Sequence, residues 1–152
     1  MLDTIDRKIL RRLHRDSRIA NSDLAEAVGL STSSCWRRVK ALEDSGFIRA
    51  YTVVLDESRL GLTFNAVVHV QLTRHDPVNM QAFIEAIRDR DEVQECMATT
   101  GQADYHLTVT CRDLSAYNDF LENFLLRMPA VSSAQTNLIL KKIKSRDEAL
   151  CL

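Results

Sequence analysis

Residues 21–44 read NSDLAEAVGLSTSSCWRRVKALED, and this stretch decides how the first third of the chain folds. Asn21–Asp23 can cap a helix. The apolar side of that helix consists of Leu24, Ala25 and Val28. Gly29 follows where the chain takes a positive φ to leave the helix, and Ser31 can cap the next one. Two short helices joined across a glycine are typical of a helix-turn-helix.

The second helix of this pair carries the residues that point to DNA. In a helix-turn-helix, that helix enters the major groove and its exposed N-terminal residues contact base edges. The hydroxyl and basic side chains at these positions are Ser31, Ser33, Ser34, Arg37, Arg38 and Lys40. Arginine bonds guanine or phosphate through two N–H groups, and serine bonds either. We therefore predict DNA contacts at these residues; a three-helix interaction module with a solvated arginine face is the alternative.

Trp36 and Cys35 lie in the same predicted helix and are interpreted as packing residues, with Trp36 in the core or at its rim. Trp36, Val39 and Leu42 follow its inward side at helical spacing. Stacking on a base is the alternative role for the Trp36 indole. Cys35 lies near the helix start, where a thiol pKa can be lowered, but a lone cysteine more often acts as a small hydrophobic residue.

A helix before this stretch and a strand after it complete the first third. The apolar face of the preceding helix consists of Ile5, Ile9, Leu10 and Leu13. Asp3 or Thr4 can cap that helix. The β-rich run Phe47–Leu55 (FIRAYTVVL) predicts a hinge strand. The predicted boundaries are a winged-type helix-turn-helix domain at 1–50, a hinge strand with linker at 51–62, and a second domain at 63–152.

The rest of the chain alternates between strand and helix patterns. The predicted elements are a strand at Ala66–Leu72, a helix from Asp76, a strand at Val93–Thr100, a strand at Tyr105–Cys111, a helix capped by Asp113 or Ser115 and ending at Pro129, and a strand at Ser133–Ile143. The order β-α-β-β-α-β is that of a ferredoxin-like α+β fold with an antiparallel sheet. Val67, His69 and Gln71, or their alternates, are left on an uncovered sheet face, which predicts dimerisation through that face.

Composition and charge exclude several classes of protein. The 152 residues carry a net charge of −1, divided into +3 for residues 1–50 and −4 for the remainder. A basic first third beside an acidic remainder indicates two modules with different partners. No apolar stretch approaches the roughly 18 residues that span a bilayer. The four cysteines, Cys35, Cys96, Cys111 and Cys151, form no CxxC pair, so we expect a reducing cytoplasm.

The motifs of enzyme active sites are absent from the sequence. It contains no GxGxxG, P-loop, GxSxG or HExxH pattern. The histidines His14, His69, His75 and His106 are far apart. Cys96, His106 and Cys111 could converge on a metal across neighbouring strands, but their spacing matches no known ligand pattern. We therefore predict a protein that is not an enzyme and holds no cofactor or metal.

Four segments, taken in order, resemble the Lrp/AsnC family of bacterial and archaeal "feast/famine" transcriptional regulators. They are LDTIDRKIL (2–10), DSRIANSDLAEAVGLSTSSCWRRVKALEDSGFIRAY (16–51), VQECMATTGQADYHLTV (93–109) and LSAYNDFLENFLLRMPAVSSAQTNLILKKIK (114–144). QEC before the TGxxDY turn and AY…LLRMPAV are most similar to the leucine-responsive branch. Ser33 departs from the family, which commonly has proline early in the third helix.

The resemblance implies a regulator of amino-acid metabolism that binds specific double-stranded DNA. It also implies homodimers that pair through their sheets and assemble further, often to an octamer. A small amino acid, such as leucine, would bind between dimers and change oligomeric state or DNA affinity. The implied effector residues are Thr99, Thr100, Gly101, Gln102, Asp104 and Tyr105, with Gln135, Thr136 and Asn137 from a neighbouring subunit. An amino-acid-binding module whose helical head contacts a protein is the alternative.

Overall fold

The structure, a computed structural model, describes residues 2–73 and 76–144. The described chain divides into two compact units: one comprises residues 2–55 together with residues 143–144, and the other comprises residues 56–142. The sequence predicted boundaries at 50 and 62. His75, Cys151 and the end of the predicted second domain lie outside the described residues. Each unit has its own apolar core.

The first unit contains three helices: α1 (Thr4–Arg15), α2 (Asn21–Val28) and α3 (Thr32–Asp44). Asp3 caps α1 through a reciprocal pair of bonds with Asp6, and Ser31 caps α3 by accepting from the Ser34 N–H group. Gly29 ends α2 at φ 75°, as its position predicts. The cap predicted at Asn21–Asp23 is wrong, because α2 begins after Ala20 and the Asn21 side chain instead donates to the Thr32 carbonyl at 3.0 Å.

The core of the helical unit is small. Its buried residues are Ile9, Leu24, Ala25, Val28, Cys35 and Leu42. Val39 is partly buried against them, but Trp36 is 61% exposed, so Trp36 lies at the rim and not in the core. Cys35 and Leu42 are seven residues apart and define the inward side of α3. Trp36 follows Cys35 by one residue, which turns it about 100° away from that side.

The hinge strand predicted at Phe47–Leu55 is not formed, and these residues, all of them described, are neither helix nor strand. The Ile48 N–H group donates to the Leu42 carbonyl, and the Tyr51 hydroxyl donates to Glu43 at 2.9 Å. Val53 and Val54 are 65% and 71% exposed. A strand forms only where a second backbone lies alongside, and β-branched residues alone do not supply one.

The second unit is a four-stranded antiparallel sheet with two helices. Its elements are β1 (Phe64–Leu72), α4 (Pro77–Arg88), β2 (Val93–Ala98), β3 (Tyr105–Cys111), α5 (Leu114–Asn123), a 3₁₀ turn (Leu125–Arg127) and β4 (Val131–Leu138). The strand order is β2-β3-β1-β4. The predicted α+β fold and element order are confirmed. Asp76 and Asp113 cap the two helices as predicted.

Several of the predicted boundaries in this unit are wrong. β2 ends at Ala98, two residues early, because the turn before β3 begins there. α5 ends at Asn123, since Phe124 leaves helical conformation before the 3₁₀ turn. β4 runs from Val131 to Leu138 rather than from Ser133 to Ile143, and β1 begins at Phe64 rather than at Ala66. Past Leu138, the Ile139 N–H group still donates to the Asn65 carbonyl at 2.9 Å.

Alternation along β1 separates the two faces of the sheet. Ala66, Val68 and Val70 are fully buried on the face that the helices cover. Val67 and His69 point to the opposite face and are partly exposed, as the sequence predicts. The register places His106 of β3 and Gln135 of β4 on either side of His69. The open face is therefore polar across three strands.

Candidate functional sites

One side of α3 carries a row of exposed side chains. Ser33, Trp36, Arg37 and Lys40 follow the spacing i, i+3, i+4 and i+7, and all four are exposed. That spacing brings residues onto one face of a helix. The face opposite to Cys35 and Leu42 therefore presents one hydroxyl, one indole and two cations. We call these four residues the α3 outer row.

Arg38 lies outside this row and pairs with the start of α1. Its Nη1 atom donates to Asp3 Oδ2 and Asp6 Oδ1, both at 2.7 Å. The bond from the Asp6 N–H group and the Arg38 guanidinium lower the pKa of Asp3, and the two carboxylates raise the pKa of Arg38. Arg38 therefore links α3 to α1.

Two of the predicted serine contacts build the start of α3. Ser31 Oγ accepts from the Ser34 N–H group at 3.3 Å and donates to Ser34 Oγ at 2.9 Å. Ser33 lies one residue before Ser34 and is exposed on the α3 outer row. Lys40, at the far end of the row, forms a 2.9 Å ion pair with Asp44 that raises the Lys40 pKa. Ser31 and Ser34 thus position the helix that presents Ser33.

Cys35 has the environment of an unreactive thiol. Its side chain is fully buried beneath α3, and burial raises the pKa of the thiol. A redox-sensing cysteine needs the opposite shift and access to solvent. The interpretation of Cys35 as a small packing residue agrees with this placement.

The turn between β2 and β3 is held by hydrogen bonds at its base. The Thr99 N–H group donates to the Asp104 carbonyl at 3.0 Å, and Thr99 Oγ1 donates to the Ala103 carbonyl at 3.2 Å. Gly101 has φ 133°, a conformation that side chains other than glycine rarely adopt. Hydrogen bonds at Thr99 and Asp104 therefore close the turn. At position 101, the backbone would be strained with any residue other than glycine.

Asp104 joins this turn to β1. Its carboxylate Oδ2 accepts from the Leu72 N–H group at 2.8 Å, and its own N–H group donates to the Val70 carbonyl at 2.9 Å. The carboxylate therefore braces the neighbouring strand rather than the backbone of its own turn.

Two cavities lie beside the turn, and their linings differ in character. The first, of about 380 Å³, is mainly apolar and is lined by Leu72, Thr73, Asp76, Pro77, Met80, Ala98, Asp104 and Tyr105. The second, of about 500 Å³, is mainly polar and is lined by His69, Gln71, Thr100, Gln102, Ala103, His106, Ser133 and Gln135. Of the predicted effector residues, Asp104 and Tyr105 border the first cavity, while Thr100, Gln102 and Gln135 border the second.

Leu72, Pro77 and Met80 were missed as lining residues by sequence reasoning. Met80 shares its helical face with Phe83, which predicts a core position, yet Met80 is 42% exposed while Phe83 is fully buried. Met80 lies in the first turn of α4, where the cavity opens beyond the core. The sequence gives no signal for this, because the distance from a helix end to a strand end is set by packing.

Thr136 and Asn137 lie on opposite faces of β4. Thr136 pairs with Val68 and forms a hydrogen bond with the Tyr117 hydroxyl on the helix-covered face. The Asn137 amide lies 2.9 Å from His69 Nε2 on the open face. Neither residue lines a cavity beside the turn of its own chain. A contact from a neighbouring subunit stays a prediction.

The three residues considered for a metal do not converge. His106 pairs with Met97 and faces the open side of the sheet, whereas Cys96 pairs with Leu107 and so faces the helices. Cys111 is buried, and burial raises the pKa of its thiol. Across residues 2–73 and 76–144, no cluster of three or more His, Cys, Asp or Glu side chains is suited to a metal ion.

A helix-turn-helix with an exposed α3 outer row and a separate α+β unit with cavities at a turn are typical of a two-domain DNA-binding protein with a ligand-binding domain. Residues 2–49 match a model of the winged helix-turn-helix DNA-binding domain, and residues 65–149 match the Lrp/AsnC ligand-binding domain. The chain belongs to the Lrp/AsnC family of transcriptional regulators. It is a DNA-binding regulator with an amino-acid-binding domain and is not an enzyme.

Characterised relatives match nearly the whole chain. The leucine-responsive regulatory protein of Klebsiella pneumoniae is 38% identical over 143 residues, which are 94% of this chain and 87% of that protein. The transcriptional regulator AzlB of Bacillus subtilis is 35% identical over 95% of this chain and 92% of its own. The predicted likeness to the leucine-responsive branch is confirmed by these matches.

Solved structures agree with this assignment. A transcriptional regulator from Neisseria meningitidis, crystallised as an L-Met complex, has a TM-score of 0.94 at 35% identity and covers 99% of this chain and 97% of its own. An AsnC family regulator from Agrobacterium tumefaciens has a TM-score of 0.89 at 33% identity, covering 95% and 94%. Within the described part of this chain, no helix is long and apolar enough to cross a membrane.

Proposed function

We propose that this regulator responds to a small amino acid with an apolar side chain, bound beside the Thr99–Tyr105 turn. The observation that carries the proposal is the 380 Å³ cavity, which combines an apolar lining with two carboxylates. Leu72, Met80 and Tyr105 would contact the side chain of the effector. Asp76 and Asp104 would attract its ammonium group, and the turn at Gly101 would let backbone N–H groups approach its α-carboxylate.

The size of the cavity and one relative support an effector of this kind. A volume of about 380 Å³ lies at the lower end of the range for small-molecule sites. The Neisseria meningitidis regulator was crystallised with L-Met, an amino acid whose side chain is apolar. An effector with an acidic side chain would bring a further negative charge close to Asp76 and Asp104.

We propose that Ser33, Arg37 and Lys40 of the α3 outer row contact DNA and that Arg38 positions their helix. Arg37 would bond a base or a phosphate, while Ser33 and Lys40 would contact the backbone or neighbouring bases. Arg38 is held by two carboxylates of α1, which supports a role in fixing α3. Ser31 and Ser34 would act by forming the helix start.

We propose further that the effector couples to DNA binding through assembly. Homodimers would form through the open face of the sheet and associate further, up to an octamer, in the cytoplasm. An effector bound between dimers would favour one assembly over another and so change how many helix-turn-helix units engage DNA at once. A head with a formal charge of only +3 needs several copies to bind tightly at physiological salt.

The test measures DNA retention and assembly together. Full-length protein is mixed with genomic fragments of its source organism, with and without amino acids, and its mass is followed by sedimentation. We expect a small reproducible set of upstream fragments whose retention changes with one apolar amino acid, together with a change in mass. Selective retention that no amino acid alters would contradict the effector proposal.

Asp104 variants locate the site. Asp104→Asn keeps an oxygen that can accept from the Leu72 N–H group but removes the charge, whereas Asp104→Ala removes both. We expect Asp104→Asn to keep the fold and DNA binding but weaken the response to the effector at least tenfold. Glu122→Gln, which neutralises an exposed carboxylate on α5, is the matched control and should respond like the wild type. An unchanged response in Asp104→Asn would exclude this carboxylate from the site.

A further inference from the structure

Trp36 is a large aromatic side chain that the fold of the helical unit leaves exposed. It is the single tryptophan of the chain, and 61% of its surface is accessible. One side of the indole borders a shallow groove with Leu13, Ile19 and Val39. The core beneath α3 is closed by Cys35 and Leu42 without it. Most of the indole therefore has no packing role within its own unit.

The position of Trp36 places it among the charged residues of the α3 outer row. Arg37 follows it directly, Ser33 precedes it by one turn, and Lys40 follows it by one turn. Within the described residues, no ion pair holds Arg37, in contrast to Arg38. A partner that covers Trp36 must therefore also accept two neighbouring cations. A polyanion whose groove combines phosphates with apolar methyl groups meets both requirements.

We propose that Trp36 contributes to the sequence specificity of DNA binding. Its indole would pack on the C5-methyl group of thymine in the major groove. The proposal rests on the DNA binding of this family and adds a residue and a base preference to it. The thymine methyl is the apolar group that the major groove displays, and apolar side chains read it by contact. Arg37 would bond the neighbouring base or phosphate, so that adjacent residues of one helix read different features.

Fluorescence of the wild-type protein tests the contact without any substitution. All tryptophan emission comes from Trp36, and in the free protein acrylamide should quench it readily. The DNA is a duplex selected from random sequence by the wild-type protein. At saturation with this duplex, we expect quenching by acrylamide to fall severalfold and the emission to change. Unchanged quenching at saturation would overturn the proposal, because the indole would then remain in solvent.

Thymine-to-uracil substitution identifies the group that Trp36 touches. Uracil lacks only the C5-methyl group, and each thymine of the selected duplex is replaced in turn. We expect the affinity to fall about fourfold at one or two positions. This is the ratio that corresponds to burying one methyl group. In Trp36→Ala the same replacements should cause no further loss, whereas Arg37→Ala should retain the sensitivity to uracil.

Two substitutions of Trp36 separate DNA contact from folding. Trp36→Ala should weaken binding to the selected duplex about tenfold and leave binding to unrelated DNA at low salt unchanged. Trp36→Phe should keep most of the affinity, and both variants should melt at the wild-type temperature. Equal losses on selected and unrelated DNA, or full affinity in Trp36→Ala, would overturn the proposal. Failure of the wild type to select any sequence would instead contradict specific DNA binding itself.

Discussion

The helical unit and the sheet unit present their functional residues on different kinds of scaffold. In the helical unit, six buried residues among those described support three helices, and one side of α3 faces outward. In the sheet unit, twelve buried residues lie between the helices and one face of the sheet, and the other face is open. Residues three or four positions apart share a surface on α3, whereas residues two positions apart share a surface on a strand.

In each unit, adjacent residues can make different contacts, so single substitutions at neighbouring positions should have different effects. On α3, Arg37 and Arg38 are adjacent, yet one is exposed on the outer row and the other pairs with α1. On β4, Thr136 and Asn137 are adjacent, yet one bonds Tyr117 beneath the helices and the other contacts His69 on the open face. In both units the chemical likeness of neighbours is a poor guide to their roles.

The largest expected effects come from cavities made separately in the two cores. Phe120→Ala should lower the stability of the sheet unit by about 3–5 kcal/mol, and Ile9→Ala should lower that of the helical unit by about 2–5 kcal/mol. Both side chains are essentially fully buried, each in its own cluster. Hydrogen exchange resolved by segment measures each unit. Equal loosening of both units by either variant would show that the cores do not act separately.

The next largest effect separates reading from positioning on α3. Arg37→Ala should weaken binding to the selected DNA by about 1–3 kcal/mol and leave the melting temperature unchanged. Arg38→Ala should lower the melting temperature of the helical unit by roughly 2–4 °C and weaken binding to all sequences alike. Arg59→Ala, which removes a surface arginine from the sheet unit, is the matched control. It should change neither the melting temperature of the helical unit nor DNA binding. A loss of sequence preference in Arg38→Ala would instead make Arg38 a reading residue.

A smaller effect distinguishes the two faces of β4. Thr136→Val removes the hydrogen bond to the Tyr117 hydroxyl and should cost about 1 kcal/mol of stability. Tyr117→Phe should cost a similar amount, and the double variant should show less than the sum of the two losses. Asn137→Ala, on the open face, should stay within about 0.5 kcal/mol of the wild type. Chemical denaturation measures all four proteins, and equal losses at 136 and 137 would contradict the assignment of faces.

The smallest expected effect is the acid dependence of the α1 cap. The pKa of Asp3 lies below its ordinary value of 3.8, so the Asp3 contribution is fully present above that pH and is lost as pH falls through the lower folded-state pKa. Thermal melting of the wild type and Asp3→Asn between pH 7 and pH 2 measures it. The wild type should be more stable than Asp3→Asn at neutral pH, and this difference in stability should disappear below about pH 4. An advantage that persisted in strong acid would exclude the carboxylate charge as its source.

Much of the chain's local structure was predictable because short-range chemistry determines it. Asp3, Ser31 and Asp113 begin helices because each side chain accepts an N–H group of the first helical turn. Gly29 ends α2 at a positive φ. Alternating burial along β1 agrees with the pattern of its residues. These features depend on residues within a few positions of each other.

The candidate sites were predictable only in outline. The exposed side of α3 and the turn at Thr99–Tyr105 could be found from spacing and from the family pattern. The partners of Arg38 lie more than thirty residues away in sequence, and the exposure of Trp36 depends on how α1 and α2 pack. Helical periodicity predicts which face of a helix an apolar side chain lies on. It cannot show that the core is already closed without that side chain.

Sequence alone thus determined the element order of the sheet unit, most of the helix starts, the two modules and the family, because each follows from local chemistry or an ordered set of motifs. Only the tertiary structure decided that Phe47–Leu55 forms no strand within one chain, that Asp104 braces Leu72, and that one turn borders both an apolar and a polar cavity. The physical reason is the same in each case. Strand pairing, ion pairs and cavities require groups distant in sequence to meet, and their meeting depends on the packing of the whole unit.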